Sequence, residues 1–69
     1  MSEHQVWLGN MCFARLVSTR EMNSARCTYL GKKRAQVMGG IHEVSVYDKG
    51  EEYICVCKDI DKQIEQMEE

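Results

Sequence analysis

Two cysteines one residue apart, Cys55 and Cys57 in "EEYICVCKDID" (51–61), are the residues of this chain best suited to chemistry. Soft thiolates ligate zinc, nickel or copper(I). On a strand the two side chains share a face, about 6.5–7 Å apart along the backbone, and side-chain rotation could bring both sulfurs onto one ion. A structural zinc site, however, usually spaces its cysteine pairs by two to four residues and takes four ligands. Here there is one C-x-C and no second pair, with Cys12 or Cys27 as further candidate ligands. The absence of C-x-x-C removes a thioredoxin-type redox reading.

The competing reading is packing, because a free cysteine behaves as a small buried hydrophobe. The segment "IHEVSVY" alternates and is rich in β-branched residues, and "EYICVC" answers it across "DKG". That pattern predicts a hairpin with a three-residue loop and Gly50 in the left-handed position. In this register Val44 faces Ile54 and His42 faces Val56. Val44, Val46, Ile54 and Val56 then form one apolar face, and Ile41, Tyr53, Cys55 and Cys57 form the other. His42 falls on the face away from both cysteines, which makes a joint Cys–His cluster the less favoured geometry. A two-residue loop would bring His42 opposite Cys57, since a slip of one residue exchanges the faces. A strand apolar on both sides is either central and covered twice or lies at a subunit interface.

Residues 11–20, "MCFARLVSTR", resemble the opening of small nickel-binding proteins of carbon monoxide dehydrogenase maturation. Those proteins begin Met-Cys and use that cysteine near the free amine. Eleven residues precede Cys12 here, so the chain's own amino terminus is not at hand. The resemblance implies soft-metal binding as an alternative function.

The elements that would carry these residues are short. "KDIDKQIEQMEE" changes period: Ile60, Ile64 and Met67 recur at i, i+4 and i+7, one stripe of a helix. Asp59 and Asp61 suit its start by capping and by the helix dipole, whereas Glu65, Glu68 and Glu69 oppose the dipole at its end. A helix of that length is marginal alone, so the stripe should dock on the sheet or on a partner. "MCFARLVS" reads either as a strand, with Phe13 and Val17 on one face and Cys12, Ala14 and Leu16 on the other, or as part of a helix through Trp7, Met11 and Ala14. "STREMNSA" reads as a polar turn or long connection. "RCTYLG" and "RAQVM" read as two strands joined by a basic turn, "GKKR", and Gly39-Gly40 as a strand-entry turn. The fold class predicted is α+β, mainly β: one domain over residues 1–69, a small sheet or partly open barrel of three to five short antiparallel strands with a C-terminal helix.

A chain of 69 residues is one domain with a marginal core, which metal or self-association could reinforce. No segment resembles a secretory signal core or a membrane span, so a cytoplasmic protein with reduced thiols is expected. Net charge is −2, but residues 1–34 carry six cations against two acids and residues 35–69 three against nine. Opposed halves suit intramolecular or subunit-to-subunit pairing and lack the unopposed basic face of a nucleic-acid binder. Lys32, Lys33 and Arg34 could still grip phosphates, so nucleic acid ranks third.

For catalysis only His4 and His42 could serve as an imidazole base, and no nucleophile or phosphate-loop motif is present. His4, near the terminus, reads as a solvated histidine. Function is therefore expected to be non-catalytic: a binding or regulatory protein that docks on a larger protein or self-associates. Trp7, Tyr47 and Tyr53 would make apolar contacts, with Lys32, Lys33 and Arg34 facing an acidic partner. For Trp7, core packing is the commoner fate.

Overall fold

A computed structural model of the chain describes residues 5–67; His4, Glu68 and Glu69 lie outside the described residues. The elements run β1 (Gln5–Gly9), β2 (Cys12–Leu16), α1 (Thr19–Ser24), β3 (Thr28–Val37), β4 (Gly40–Asp48) and β5 (Tyr53–Val56). A 3₁₀ turn (Lys58–Ile60) and α2 (Asp61–Met67) follow. Five strands form one sheet in the order β1-β2-β5-β4-β3. Neighbours are antiparallel except β2 and β5, which are parallel. The sheet curls into a half-barrel, so its edge strands β1 and β3 come into contact. The expected α+β, mainly β class with a C-terminal helix is what the chain adopts. The sheet is mixed rather than wholly antiparallel.

β5 is the middle strand, and its two faces belong to two apolar clusters. Cys55 and Cys57 pack inside the curl with Val6, Ala14, Leu16, Ala35, Val37, Val44, Val46 and Ile64. Ile54 and Val56 pack outside with Val17, Met22, Cys27 and Tyr47. Val44 and Val46 therefore share the cysteine face, not the face of Ile54 and Val56. The register explains this: Tyr47 pairs with Ile54 and Asp48 with Tyr53, three residues from the predicted alignment. An odd shift exchanges the faces. The loop is four residues, 49–52, rather than three. Gly50 does take positive φ (99°). Asp48 Oδ1 accepts from the Gly50 N–H at 2.8 Å, and Lys49 N–H donates to the Glu52 carbonyl at 2.9 Å. These bonds draw Glu51 and Glu52 out of the strand.

The segment "STREMNSA" is not a plain connection. Ser18 caps α1, its Oγ accepting from the Glu21 N–H at 3.1 Å. Met22 on α1 covers the outer cluster. Asp61, the first residue of α2, accepts from the Thr19 N–H at 2.7 Å and so ties the two helices together at their starts. In α2, Ile64 is buried and Ile60 before it is partly so, as the stripe predicts, while Met67 stays half exposed. "GKKR" is not a turn either. It lies within β3, a single ten-residue strand whose register shifts at a bulge between Tyr29 and Gly31. A glycine at φ 132° supplies that bulge, where a side chain would be strained. "MCFARLVS" is a strand, with Ala14 and Leu16 buried inward, as the strand alternative has it.

No helix among the described residues is long and apolar enough to cross a membrane.

Two predictions test this frame. Met38 and Gly39 make a two-residue turn between β3 and β4, with φ of 50° and 88°. Asparagine tolerates that first position better than methionine, so Met38→Asn should add about 1 kcal/mol and raise Tm in a thermal melt. A fall in Tm would mean that Met38 packs in a way the turn geometry does not require.

Arg15 donates from Nε to Glu52 and from Nη1 to Glu21, each at 2.9 Å, which clamps the loop after β4 and helix α1 onto β2. The Arg15 hydrogen bond, opposed by partial burial, holds the Glu52 carboxyl below its ordinary value. A depressed carboxyl stabilises the fold above its unfolded pKa, and that contribution is lost as pH falls through the folded one. Arg15→Ala should cost about 1 kcal/mol at neutral pH, the upper end for solvent-screened pairs, and lower Tm by about 4–8 °C. The deficit should shrink as pH falls through the folded pKa of Glu52. A deficit independent of pH would assign Arg15 a packing role instead.

Candidate functional site

The inner face of β5 carries Tyr53, Cys55 and Cys57 in one row, and each meets a different environment. Cys55, opposite Val46, is wholly buried. Burial pushes its thiol up to about 12, and neighbouring Cys57 adds to the effect. At neutral pH it is a packed, protonated thiol. Cys57 is also buried, but it sits where the chain leaves the sheet and enters the 3₁₀ turn. There its sulfur meets His42 and Asp59, with one ligand atom of each residue within 4.8 Å of the other two. His42 Nδ1 and Asp59 Oδ2 are 3.1 Å apart. Sequence reasoning placed His42 on the opposite face. The three-residue change of register brings it to the cysteine side, where β4 extends past the end of β5. Cys55 is not part of this group. Cys12 and Cys27 are elsewhere, both half-buried free thiols.

At the other end of that row, Tyr53 lines a cleft of about 210 Å³ between the two edges of the half-barrel. Its apolar wall is Leu8, Leu30, Val46 and Cys12, and its rim carries Lys32 and Lys33. Both edge strands are irregular here, β1 between Trp7 and Gly9 and β3 between Tyr29 and Gly31. Gly9 and Gly31 put no side chain into the gap, and a Cβ on either would meet nothing within 4 Å. Lys33 Nζ spans the gap and donates to the Leu8 carbonyl at 3.1 Å. Lys32 lies 3.8 Å from Glu43, an exposed and therefore weak pair.

Of the residues expected to make contacts, the structure brings Lys32, Lys33 and Tyr53 to this one cleft. Arg34 follows on β3, exposed and opposite Glu43. Tyr47 instead packs on the outer face against Tyr29, ring centroids 5.4 Å apart. Trp7 is not a core residue. It stands 48% exposed, edge-on to Phe13 at 4.7 Å, and its neighbour Val6 takes the core position. The residues missed from the sequence are Leu8, Leu30 and Asp59. The two leucines each lie beside a bulge glycine, and Asp59 lies two residues after Cys57, the only local signals for them.

The burial order makes a prediction. Under native, reducing conditions an alkylating reagent should modify Cys12 and Cys27 first, and Cys55 and Cys57 at least about tenfold more slowly. Peptide-level mass spectrometry over a time course measures this. Equal rates at all four thiols would contradict the closed inner face.

Comparison with protein-family models, curated proteins and solved structures finds no match to the chain.

Proposed function

We propose that the protein is a non-catalytic docking protein that takes an acidic, apolar-bearing segment of a larger partner protein into the cleft between β1 and β3. The observation that carries this reading is the cleft itself, in which an apolar wall meets the Lys33 ammonium, while Lys32 borders the cleft and turns its own ammonium toward Glu43. Its volume, about 210 Å³, is below the roughly 300–1,000 Å³ of pockets that enclose a drug-sized ligand. It has room for one or two partner side chains. Lys33 favours a carboxylate beside them, whereas Lys32 and Arg34 put their charge on the other face of β3, beside Glu43. Edge strands also expose unpaired backbone groups, which an extended segment can satisfy. Four free thiols are consistent with a reducing, cytoplasmic setting.

Synthetic peptides alternating glutamate with leucine, titrated into labelled protein, provide the test. Amide shifts should concentrate at Leu8, Leu30, Lys33 and Tyr53. Lys33→Ala should weaken binding about tenfold and flatten its salt dependence, and Lys32→Ala should do less. Identical shifts with a glutamine-for-glutamate peptide would reject the acidic partner. Shifts produced only by an oligonucleotide would reassign the lysines to phosphate. Shifts that depend on protein concentration alone would assign the cleft to a second copy of the chain.

A further inference from the structure

We propose that His42, Cys57 and Asp59 form a binding site for a zinc-class divalent metal ion, one that exchanges readily with solvent. This goes beyond docking and uses the opposite end of the inner face.

Three elements converge to make the group: His42 from β4, Cys57 from the end of β5, and Asp59 from the 3₁₀ turn. Thiolate, imidazole and carboxylate are together the donor set of zinc and its neighbours. Calcium and magnesium prefer oxygen alone, and copper(I) prefers sulfur. With metal bonds of about 2.3 Å to sulfur and about 2.0–2.1 Å to nitrogen and oxygen, a tetrahedron has an N···O edge near 3.3 Å and an S···N edge near 3.6 Å. The His42–Asp59 separation of 3.1 Å already matches the first edge. The full group, within 4.8 Å, needs a closure of at most about 1.2 Å, within reach of side-chain rotation.

The surroundings fit an exchangeable site. Cys57 is buried and presents its sulfur from within, while the Asp59 side chain is 72% exposed and leaves the outer side open to solvent. Three protein ligands leave a fourth position for water. Gly40 makes room for the imidazole, since a Cβ there would stand 3.2 Å from His42 Nε2. On binding, the Cys57 S–H bond breaks, a metal–sulfur bond forms and the proton passes to solvent. No change of oxidation state is involved. The ordinary alternative is a surface His–Asp pair beside a packed thiol, and it predicts no metal binding at all.

Cobalt(II) is the direct probe, because a thiolate ligand gives it a sulfur-to-metal charge-transfer band. The untagged, metal-free full chain, kept reduced, is titrated with cobalt(II) and then with zinc(II) in competition. The expected result is a charge-transfer band saturating at one ion per chain and bleached by zinc. It should be lost in Cys57→Ser, weakened at least about tenfold in His42→Gln and Asp59→Asn, and kept in Cys12→Ser and Cys27→Ser. Circular dichroism checks each fold. If Cys57→Ser does not fold, the two partly exposed ligand variants decide, and undiminished cobalt affinity in both overturns the site. Absence of the band in the wild-type chain, or a band lost in Cys12→Ser but not in Cys57→Ser, overturns it as well. Because the cleft lies elsewhere, peptide binding by a chain that takes no metal, or the converse, separates the failure of one reading from that of the other.

Discussion

β5 has no polar face. Ile54 and Val56 on one side and Cys55 and Cys57 on the other must all leave water, so the strand can exist only in the middle of a sheet covered twice. Both coverings follow from that demand. Inward, the sheet curls until β1 and β3 touch, and Ile64 of α2 fills the interior. Outward, α1 brings Met22 over Ile54, with Val17 and Tyr47 beside it. Placing β5 between β2 and β4 also makes β2 and β5 parallel, which requires the chain between them to cross over. The long-range polar contacts fasten this crossover. Arg15 reaches from β2 to Glu52 just before β5, and Asp61 reaches from α2 to the start of α1.

The same property limited what the sequence could say. The strand–loop–strand unit of β4 and β5 and the docked stripe of α2 were legible, because alternation and a change of period mark them. Register was not. Where both faces are apolar, shifting the pairing by an odd number of residues still buries hydrophobic side chains, so the pattern does not penalise it. The choice fell to polar contacts in the loop, namely Asp48 to Gly50, Lys49 to Glu52 and Glu52 to Arg15. The last joins residues 37 apart in sequence and leaves no local trace. α1 did leave one: Ser18 and Glu21 have the spacing of a helix-start capping box. The polar composition of "STREMNSA" masked it. Gly31 was legible as an irregularity, but a glycine between an apolar Tyr29-Leu30 and a basic run marks a bulge as readily as a turn.

The site followed the register. A C-x-C on a strand does place both thiols on one face, but burial differs along that face. Cys55 lies within the paired part of β5, walled on both sides by strands. Cys57 lies one residue beyond Val56, where β5 ends while β4 runs on. That overhang lets His42 reach a cysteine, and the tight 3₁₀ turn brings Asp59 back toward it. Spacing alone therefore did not place His42 or Asp59 beside Cys57.

The two proposed activities share one strand, and the physical question is whether one would sense the other. Tyr53 in the cleft and Cys57 in the cluster are four residues apart, about 13 Å along β5. Coupling over that distance needs an element with two discrete arrangements. β5 does not supply one cheaply. It is paired on both sides, Val17 N–H bonds the Cys55 carbonyl at 2.9 Å, and a slip of one residue would turn Cys55 and Ile54 to the wrong clusters. Occupation of the cleft displaces at most the Lys33–Leu8 bridge at the sheet edges, and a metal ion moves at most the side chains at the overhang. Between them lies a close-packed core that transmits neither displacement unless it opens. The expected behaviour is additive, with each ligand stabilising the fold by its own binding free energy and leaving the affinity for the other unchanged.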